Sequence, residues 1–415
     1  MLFFGILILY SFIYLNLHQY FHGAKLFLVL NLILLVAILF QKPKIVLSRI
    51  NLALFLLLSV MALSVLFSSY IKLSLYFLVD DLFKIILIAF MTYFALNSTN
   101  KLSAFLWIWL VYQVFVARNA LTGLNMSAPS IRYGATGLAS TSFLGDPNDF
   151  ALALNIALPF AFYLMLQTRN KIVKGLIALS EIFLIIGIVI SQSRGGFVTL
   201  ISTIIFIILF QGKKRILALT IGAFVVAGIS VLAPLTYIER MQTITGSGLE
   251  KGDTGYGRIT LWKAGLKMMV DHPITGVGLG RYQAAYGYKY HRKEDRKWRV
   301  AHNSYISIGA ETGIAGLLLY FYLLYCIFKE NYYIRKSLRT AKMENHFLFY
   351  LSNALTAGLV AYCVGTMFLT AWYYIHIYLI IALTLAIRRI MVEEYGFEIQ
   401  DNKEKNLIKT LAVPD

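Results

Sequence analysis

Long apolar stretches recur along the whole chain, and they constrain its fold more than any other feature. A helix needs about 20 mostly apolar residues to cross the hydrocarbon core of a bilayer. The chain is 59% hydrophobic and only 14% charged, with a mean hydropathy of +0.70, which excludes an ordinary soluble domain. We therefore predict an all-α polytopic membrane protein of about twelve transmembrane helices, at residues 2–17, 26–40, 50–67, 73–96, 103–116, 149–167, 172–190, 197–210, 216–231, 302–328, 347–369 and 371–387.

The distribution of lysine and arginine predicts how these helices are oriented. Alternate connections carry cationic clusters such as Lys213, Lys214 and Arg215, and cytoplasmic loops are the ones enriched in such residues. Both termini are therefore predicted to be cytoplasmic, with one long loop on the outer side. The predicted division is an N-terminal bundle of about nine helices over residues 1–233, an outer loop over 234–301, about three C-terminal helices over 302–390 and a cytoplasmic tail over 391–415.

The outer loop carries more positive charge than topology requires. The chain has a net charge of +18, and the cations of cytoplasmic connections set topology and meet anionic head groups. Residues 239–299 hold twelve Lys and Arg against six Asp and Glu, so this loop would concentrate an anionic partner. Nucleic acid is not expected outside a membrane, so a phosphorylated lipid or an acidic glycan is favoured. The alternative is a solvated loop beside anionic head groups.

One segment of the loop has the pattern of an amphipathic helix. Its apolar residues recur three and four positions apart, at Ile259, Trp262, Leu266 and Met269. This spacing predicts a helix near residues 258–271 that rests with one stripe on the bundle or at the membrane interface, and Pro273 ends it. Gly276, Gly278 and Gly280 follow. Close backbone packing explains them better than a dinucleotide fingerprint, because no buried strand precedes them.

A lone arginine interrupts two apolar helices in the stretch Ser191-Gln-Ser-Arg194-Gly195-Gly196. Arginine near a membrane boundary is costly and usually faces the bundle interior or a wet cavity. The planar guanidinium matches phosphate oxygens in a bidentate manner, and the paired glycines would let a ligand approach the backbone. A functional role is favoured, with a structural ion pair or snorkelling toward the interface as the alternatives.

A histidine, His302, stands where the cationic loop gives way to an apolar helix. Imidazole is the side chain best suited to exchange a proton near neutral pH. The alternative is an interfacial residue at the helix start that hydrogen-bonds to a neighbouring loop, and the residue alone does not separate the two.

Other polar residues are expected to act mainly in structure. Residues 146–149, with two aspartates, precede an apolar run and predict a helix cap, with sugar positioning as the alternative. Asp80 and Lys84 are spaced to pair on one helix face. Glu311 follows His302 by nine residues and lies on roughly the opposite face of an ideal helix, which predicts an interhelical structural partner.

Three motifs, taken in order, resemble those of the O-antigen ligase and polymerase superfamily. They are Ser193-Arg194-Gly195-Gly196; Gly257-Arg258 with Trp262, ending in His272-Pro273 before Gly276 and Gly278; and His302-Asn303 with Tyr305, Glu311 and Gly313. The predicted topology and the single long outer loop match as well. The resemblance therefore spans most of the chain.

This resemblance implies a GT-C-type bundle in the bacterial inner membrane that acts as a metal-independent inverting glycosyltransferase without a cofactor. Such an enzyme moves a glycan from undecaprenyl pyrophosphate to an acceptor at the periplasmic face. Arg194 and Arg258 would hold the pyrophosphate, and His302 would be the catalytic residue that assists the acceptor hydroxyl. The candidate substrate contacts are His272, Arg281 and Tyr305.

The acceptor stays open within this superfamily. A ligase joins a finished glycan to lipid A-core, a polymerase extends the growing glycan on its lipid carrier, and a related protein O-oligosaccharyltransferase uses a protein. We favour the ligase. A transporter of lipid-linked sugar is the alternative from another class, and it is disfavoured because the chain shows no repeated halves and its polar residues gather at the outer face.

Overall fold

The computed structural model describes residues 2–15, 26–41, 46–122, 143–210, 254–291 and 298–397, together with residues 216 and 220. Within these ranges all regular structure is helical, which confirms the predicted fold class. The helices are α1 (Leu2–Tyr14), α2 (Leu26–Gln41), α3 (Arg49–Leu66), α4 (Ile71–Tyr76), α5 (Phe83–Ala95), α6 (Thr99–Thr122), α7 (Pro147–Gln167), α8 (Lys171–Ile190), α9 (Arg194–Phe210), α10 (Thr254–Asp271), α11 (Tyr282–Ala285), α12 (Ser304–Thr340), α13 (Phe347–Gly365) and α14 (Ile375–Glu393).

Seven of these helices are long and apolar enough to cross a membrane, namely α3, α6, α7, α8, α12, α13 and α14. Helices α1, α2 and α9 are apolar but shorter. Residues 71–95 form one further apolar run, which a π-helical turn at Phe77–Leu82 divides. All but two residues of the predicted span at 216–231 lie outside the described residues, so the count of about twelve stays a prediction.

Helices α7 and α14 form the centre of the bundle. In their most apolar windows, 89% and 94% of the residues are buried, against 28% for α8. A helix that is apolar all round is one that packs on every side. Accordingly, α7 contacts α6, α8, α9 and α13, and α14 contacts α5, α6, α12 and α13.

The central helices begin on the same face of the bundle. The first turn of α7 meets the start of α9, where the Ser193 hydroxyl donates to Asn148 Oδ1 at 2.9 Å. It also meets the start of α14, where the Tyr374 hydroxyl donates to Asp149 Oδ2 at 3.0 Å. Helix α12 begins beside them, because Ser304 bonds to the segment between α13 and α14. We call this surface, formed by the starts of α7, α9, α12 and α14, the His302 face.

A sharp bend divides α12 at Gly313, whose φ is 74° and ψ −174°. In a straight helix the Cα atoms of Tyr305 and Phe321 would lie about 24 Å apart. Their rings instead stack with centroids 5.2 Å apart, so the segment before Gly313 turns back over the segment after it. The predicted continuous span over residues 302–328 is therefore wrong: the helix begins at Ser304 and its regular geometry breaks at Gly313.

Replacing Gly313 by alanine should destabilise the protein. A Cβ there would lie 2.5 Å from the carbonyl oxygen of Pro273, and strain at such a backbone conformation costs about 1–3 kcal/mol for a residue other than glycine. We expect a lower melting temperature in detergent. Gly175→Ala in α8 is the matched control, because nothing lies within 4 Å of its added Cβ. Equal melting temperatures for the two variants would contradict the bend.

Candidate functional site

The residue at the centre of the His302 face adopts an unusual backbone conformation. His302 has a φ of +49°, in the left-handed region, and it lies just outside α12, which Asn303 caps by accepting from the Tyr305 and Ile306 amides at 3.0 Å each. Among the described residues, three non-glycine residues have positive φ, and two of them, Gln192 and His302, fall in the predicted motifs. Strained backbone of this kind clusters at functional sites.

Hydrogen bonds on both sides fix the backbone of His302. Before it, the Ala301 carbonyl accepts from Trp262 Nε1 of α10 at 3.0 Å. After it, Ser304 Oγ donates to the Leu369 carbonyl at 2.8 Å and accepts from the Ala371 amide at 2.9 Å. His302 is thus held between α10 and the segment that leads into α14.

The imidazole of His302 lies in a positively charged setting. Burial lowers its pKa below the ordinary 6.5, and the charges of Arg258 and Arg299 lower it further, while Asp146 acts in the opposite direction. Arg299 also reaches the start of α10, since a Cβ built on Gly257 would lie 3.6 Å from its Nη1 atom. His302 is therefore neutral at pH 7 and able to accept a proton, with two guanidinium groups close by.

Arg194 begins α9 on the same face. Ser193 Oγ accepts from the Gly196 amide at 3.0 Å, as the cap of α9. A Cβ on Gly195 would lie 2.8 Å from Phe368, in the same segment whose carbonyl at Leu369 accepts from Ser304. This segment therefore connects the motif of Arg194 with the motif of His302.

The paired glycines of the Arg194 motif serve helix packing. A Cβ on Gly196 would lie 2.7 Å from Ala151 Cβ in α7, and Gly195 packs on Phe368. The expectation that they let a ligand approach the backbone stays a prediction, and both glycines also line a small cavity with Asn148 and Ser193. Arg194 itself is partly buried at the start of α9.

The buried face of α10 agrees with the predicted stripe in part. Met269 of that stripe is buried, together with Leu261, Ala264 and Met268, whereas Leu266 is 49% exposed. Leu266 was misassigned because several apolar sets in this helix satisfy a spacing of three and four. Lys263 and Lys267 are exposed, as expected for residues off the buried face.

The glycine-spaced turn after α10 packs closely, as predicted. Gly276, Gly278 and Gly280 have φ values of +67°, +111° and +67°. A Cβ on Gly276 would lie 2.2 Å from the backbone of Glu311, and the Val277 amide donates to the Ala310 carbonyl at 2.9 Å. The turn therefore lies directly against the first part of α12.

Glu311 holds this turn through its buried carboxylate. The carboxylate accepts from the Gly280 and Tyr282 amides at 2.8 and 3.2 Å and from the Ser307 hydroxyl at 3.3 Å. The Glu311 carbonyl accepts from the hydroxyl of Ser64 in α3 at 2.6 Å. The predicted structural role is confirmed, although the carboxylate serves a loop rather than another helix.

Replacing Glu311 by alanine should therefore destabilise the protein. The change leaves the Gly280 and Tyr282 amides without their acceptor, at a cost of about 1–3 kcal/mol for each unsatisfied group. We expect a lower melting temperature in detergent than for Glu344→Ala, which removes an exposed carboxylate. A melting temperature equal to that of Glu344→Ala would show that the carboxylate does not hold the turn.

Two other expectations about polar residues are confirmed. Asp146 caps α7 by accepting from the Asn148 and Asp149 amides at 2.7 and 3.4 Å. Asp80 and Lys84 form an exposed ion pair at 2.6 Å.

The three candidate substrate contacts lie in separate places. Arg281 is near Glu311 and Asp81, and burial lowers its pKa while these carboxylates oppose the shift. His272 follows the last turn of α10, about 21 Å along the helix axis from Arg258. The Tyr305 hydroxyl donates to the Cys363 carbonyl at 2.8 Å, so it joins α12 to α13. None of these contacts involves His302, and the substrate roles of the three residues stay predictions.

Two charged neighbours of His302 were missed in the sequence. Arg299 stands three residues before His302 in a loop rich in cations, and no periodicity distinguishes it from the other arginines. The sequence predicted Asp146 as a helix cap only. In the structure its charge also raises the pKa of His302. Only the fold brings the start of α7 to this position.

Together, the helical bundle and the arginine-rich face around a neutral imidazole define a membrane protein with a site suited to an anionic substrate. A family model described as O-antigen ligase matches residues 179–321, a range that runs from α8 into α12 and includes Arg194, Arg258 and His302. This match agrees with the resemblance seen in the three motifs. The matched family is a glycosyltransferase-like group of ligases and polymerases. No curated protein matches the chain.

Proposed function

We propose that this protein is an O-antigen ligase that transfers a glycan from undecaprenyl pyrophosphate to lipid A-core. The observation that carries the proposal is the position of His302, fixed in a left-handed backbone between α10 and the segment before α14, where the charges of Arg258 and Arg299 act on its imidazole. Arg194, at the start of α9, also supports the proposal. The segment at Phe368 and Leu369 contacts both the Arg194 motif and the start of α12 after His302. A proton acceptor and phosphate-binding cations on one face are the groups that this transfer requires.

The chemistry follows from these groups. An acceptor hydroxyl attacks the anomeric carbon of the donor sugar, and His302 accepts the hydroxyl proton. A new glycosidic bond forms while the bond to the pyrophosphate oxygen breaks, with inversion at the anomeric carbon. The electron pair leaves with undecaprenyl pyrophosphate, whose growing negative charge the guanidinium groups of Arg194 and Arg258 stabilise. A single displacement of this kind needs no covalent enzyme intermediate.

The starts of four helices support the same site. Helices α7, α9, α12 and α14 all direct their N-termini toward the His302 face, and a helix N-terminus carries a partial positive charge that favours anions. We assign this face to the periplasm of a protein in the bacterial inner membrane. That assignment rests on the cation-rich connections at the opposite end of the helices.

The test measures glycan transfer by the purified protein in proteoliposomes. The donor is the lipid-linked glycan, the acceptor is lipid A-core, and EDTA is present to remove divalent metal. We expect glycan on lipid A-core with the wild type and none with His302→Asn. Arg339→Gln is the control, because it removes an exposed cation from the opposite end of α12. A product ladder on undecaprenyl pyrophosphate would replace the ligase by the polymerase, and transport without transfer would refute both.

A further inference from the structure

Three aromatic rings pack in series at the surface, two from the predicted outer loop and one from the turn after α3. The Tyr70 and Tyr288 rings stack with centroids 5.9 Å apart, and the Tyr288 and Trp298 rings meet edge to face at 4.9 Å. Tyr288 and Trp298 are nevertheless 61% and 51% exposed. We call these three residues the aromatic platform. A contiguous group of exposed aromatic side chains is one sign of a binding site.

The platform contacts its surroundings through Trp298. Gly287 lies against the indole, since a Cβ there would be 3.3 Å from the Trp298 ring. The Trp298 carbonyl accepts from Gln283 Nε2 at 3.2 Å. The rings also come from three separate segments: the turn after α3, the π-helical turn at Tyr286–Tyr290 and the irregular stretch before His302. Their arrangement is therefore a product of the fold.

The platform leads directly to the candidate active site. Trp298 precedes His302 by four residues, so their Cα atoms are at most about 14 Å apart. Arg299, which lies between them, contributes to the electrostatic setting of His302. A chain molecule lying on the platform could therefore continue to the imidazole.

We propose that the aromatic platform binds a sugar ring of the donor glycan during transfer. This inference rests on the proposed function. Sugar rings present flat C–H faces that pack on aromatic rings, and their hydroxyl groups would meet Arg299 and the tyrosine hydroxyls at the edge. Single tyrosine and tryptophan side chains at a membrane interface serve head groups. Three rings packed in series through Tyr288, with Arg299 next to Trp298 in the chain, fit an extended, partly polar ligand better.

The first experiment measures binding without turnover. Protein carrying His302→Asn is placed in nanodiscs and titrated with oligosaccharide released by mild acid from the lipid-linked donor, while tryptophan emission is recorded. We expect a saturable change that is absent when Trp298→Phe is added. Quenching of Trp298 by brominated lipids, with no response to the oligosaccharide, would assign the platform to the membrane interface and overturn the inference.

The second experiment measures transfer kinetics with donor and acceptor varied separately. Trp298→Ala and Tyr288→Ala should raise KM for the lipid-linked donor by about tenfold or more, with little change in kcat or in KM for the acceptor. A rise in KM for the acceptor alone would overturn the assignment to the donor glycan. Tyr76→Ala is the control, because Tyr76 is 62% exposed outside the platform.

The outcomes separate the platform from the proposed function. Transfer by the wild type with unchanged KM values in both platform variants would refute the platform and leave the ligase intact. Absence of transfer by the wild type would refute the ligase, while oligosaccharide binding by the His302→Asn protein would still support a glycan site at Trp298.

Discussion

Replacing His302 by asparagine should lower kcat for glycan transfer by about 100- to 10,000-fold, the range expected for loss of a general base. Asparagine is the sharpest substitution because it tolerates the left-handed backbone that His302 adopts. The backbone at the start of α12 should therefore persist while the proton acceptor is lost. We expect a wild-type melting temperature and nearly unchanged KM values.

His302→Ala is the companion variant. It removes the same base and tolerates the left-handed conformation less well than asparagine, so it should lose the same activity and also some stability. Near wild-type kcat in His302→Asn would remove the imidazole from the mechanism. A large loss of stability in His302→Asn would assign the residue to structure.

Replacing either Arg258 or Arg194 by glutamine should lower kcat by about 100- to 1,000-fold. This is the loss expected when an enzyme loses one hydrogen-bond donor that stabilises charge developing in the transition state. The physical reason is that charge accumulates on the leaving pyrophosphate in the transition state. Kinetics in proteoliposomes provide the measurement. Lys263→Gln is the matched control for Arg258, because Lys263 is an exposed cation on the same helix.

Metal removal tests the same prediction from another direction. If the arginines neutralise the pyrophosphate, EDTA should leave wild-type kcat unchanged, and added Mg²⁺ should not rescue the arginine variants. Activity in Arg194→Gln and Arg258→Gln equal to that of Lys263→Gln would show that these side chains do not act on the leaving group.

The membrane helices were readable from the sequence because each follows from local hydropathy. Predicted spans such as 50–67 and 172–190 match α3 and α8 within a few residues. The cap at Asp146 follows from the preference of aspartate for the N-cap position of a helix. These features depend on residues close together in the chain. They need no knowledge of tertiary contacts.

Features of the site that depend on contacts between distant parts of the chain could not be predicted from the sequence. The bend at Gly313 exists because the loop at Pro273 packs against it, and Leu266 satisfies the helical spacing yet lies outside the buried face of α10. Arg299 and Asp146 act on His302 only because the fold brings α7 and α10 to the start of α12. The motifs therefore predicted candidate residues, and the fold supplied their electrostatic neighbours.

The most direct test of His302 as the proton acceptor is the pH dependence of kcat/KM, which reports the pKa values of the free enzyme. Burial, Arg258 and Arg299 lower the pKa of His302 below 6.5 while Asp146 opposes them, so the neutral, active form prevails at pH 7 and kcat/KM should fall only as pH decreases through the lowered pKa. Arg299→Gln should move this acidic limb to higher pH. Asp146→Asn, which keeps the helix cap, should move it to lower pH. Limbs that do not move, or that move in the same direction, would contradict proton transfer to His302.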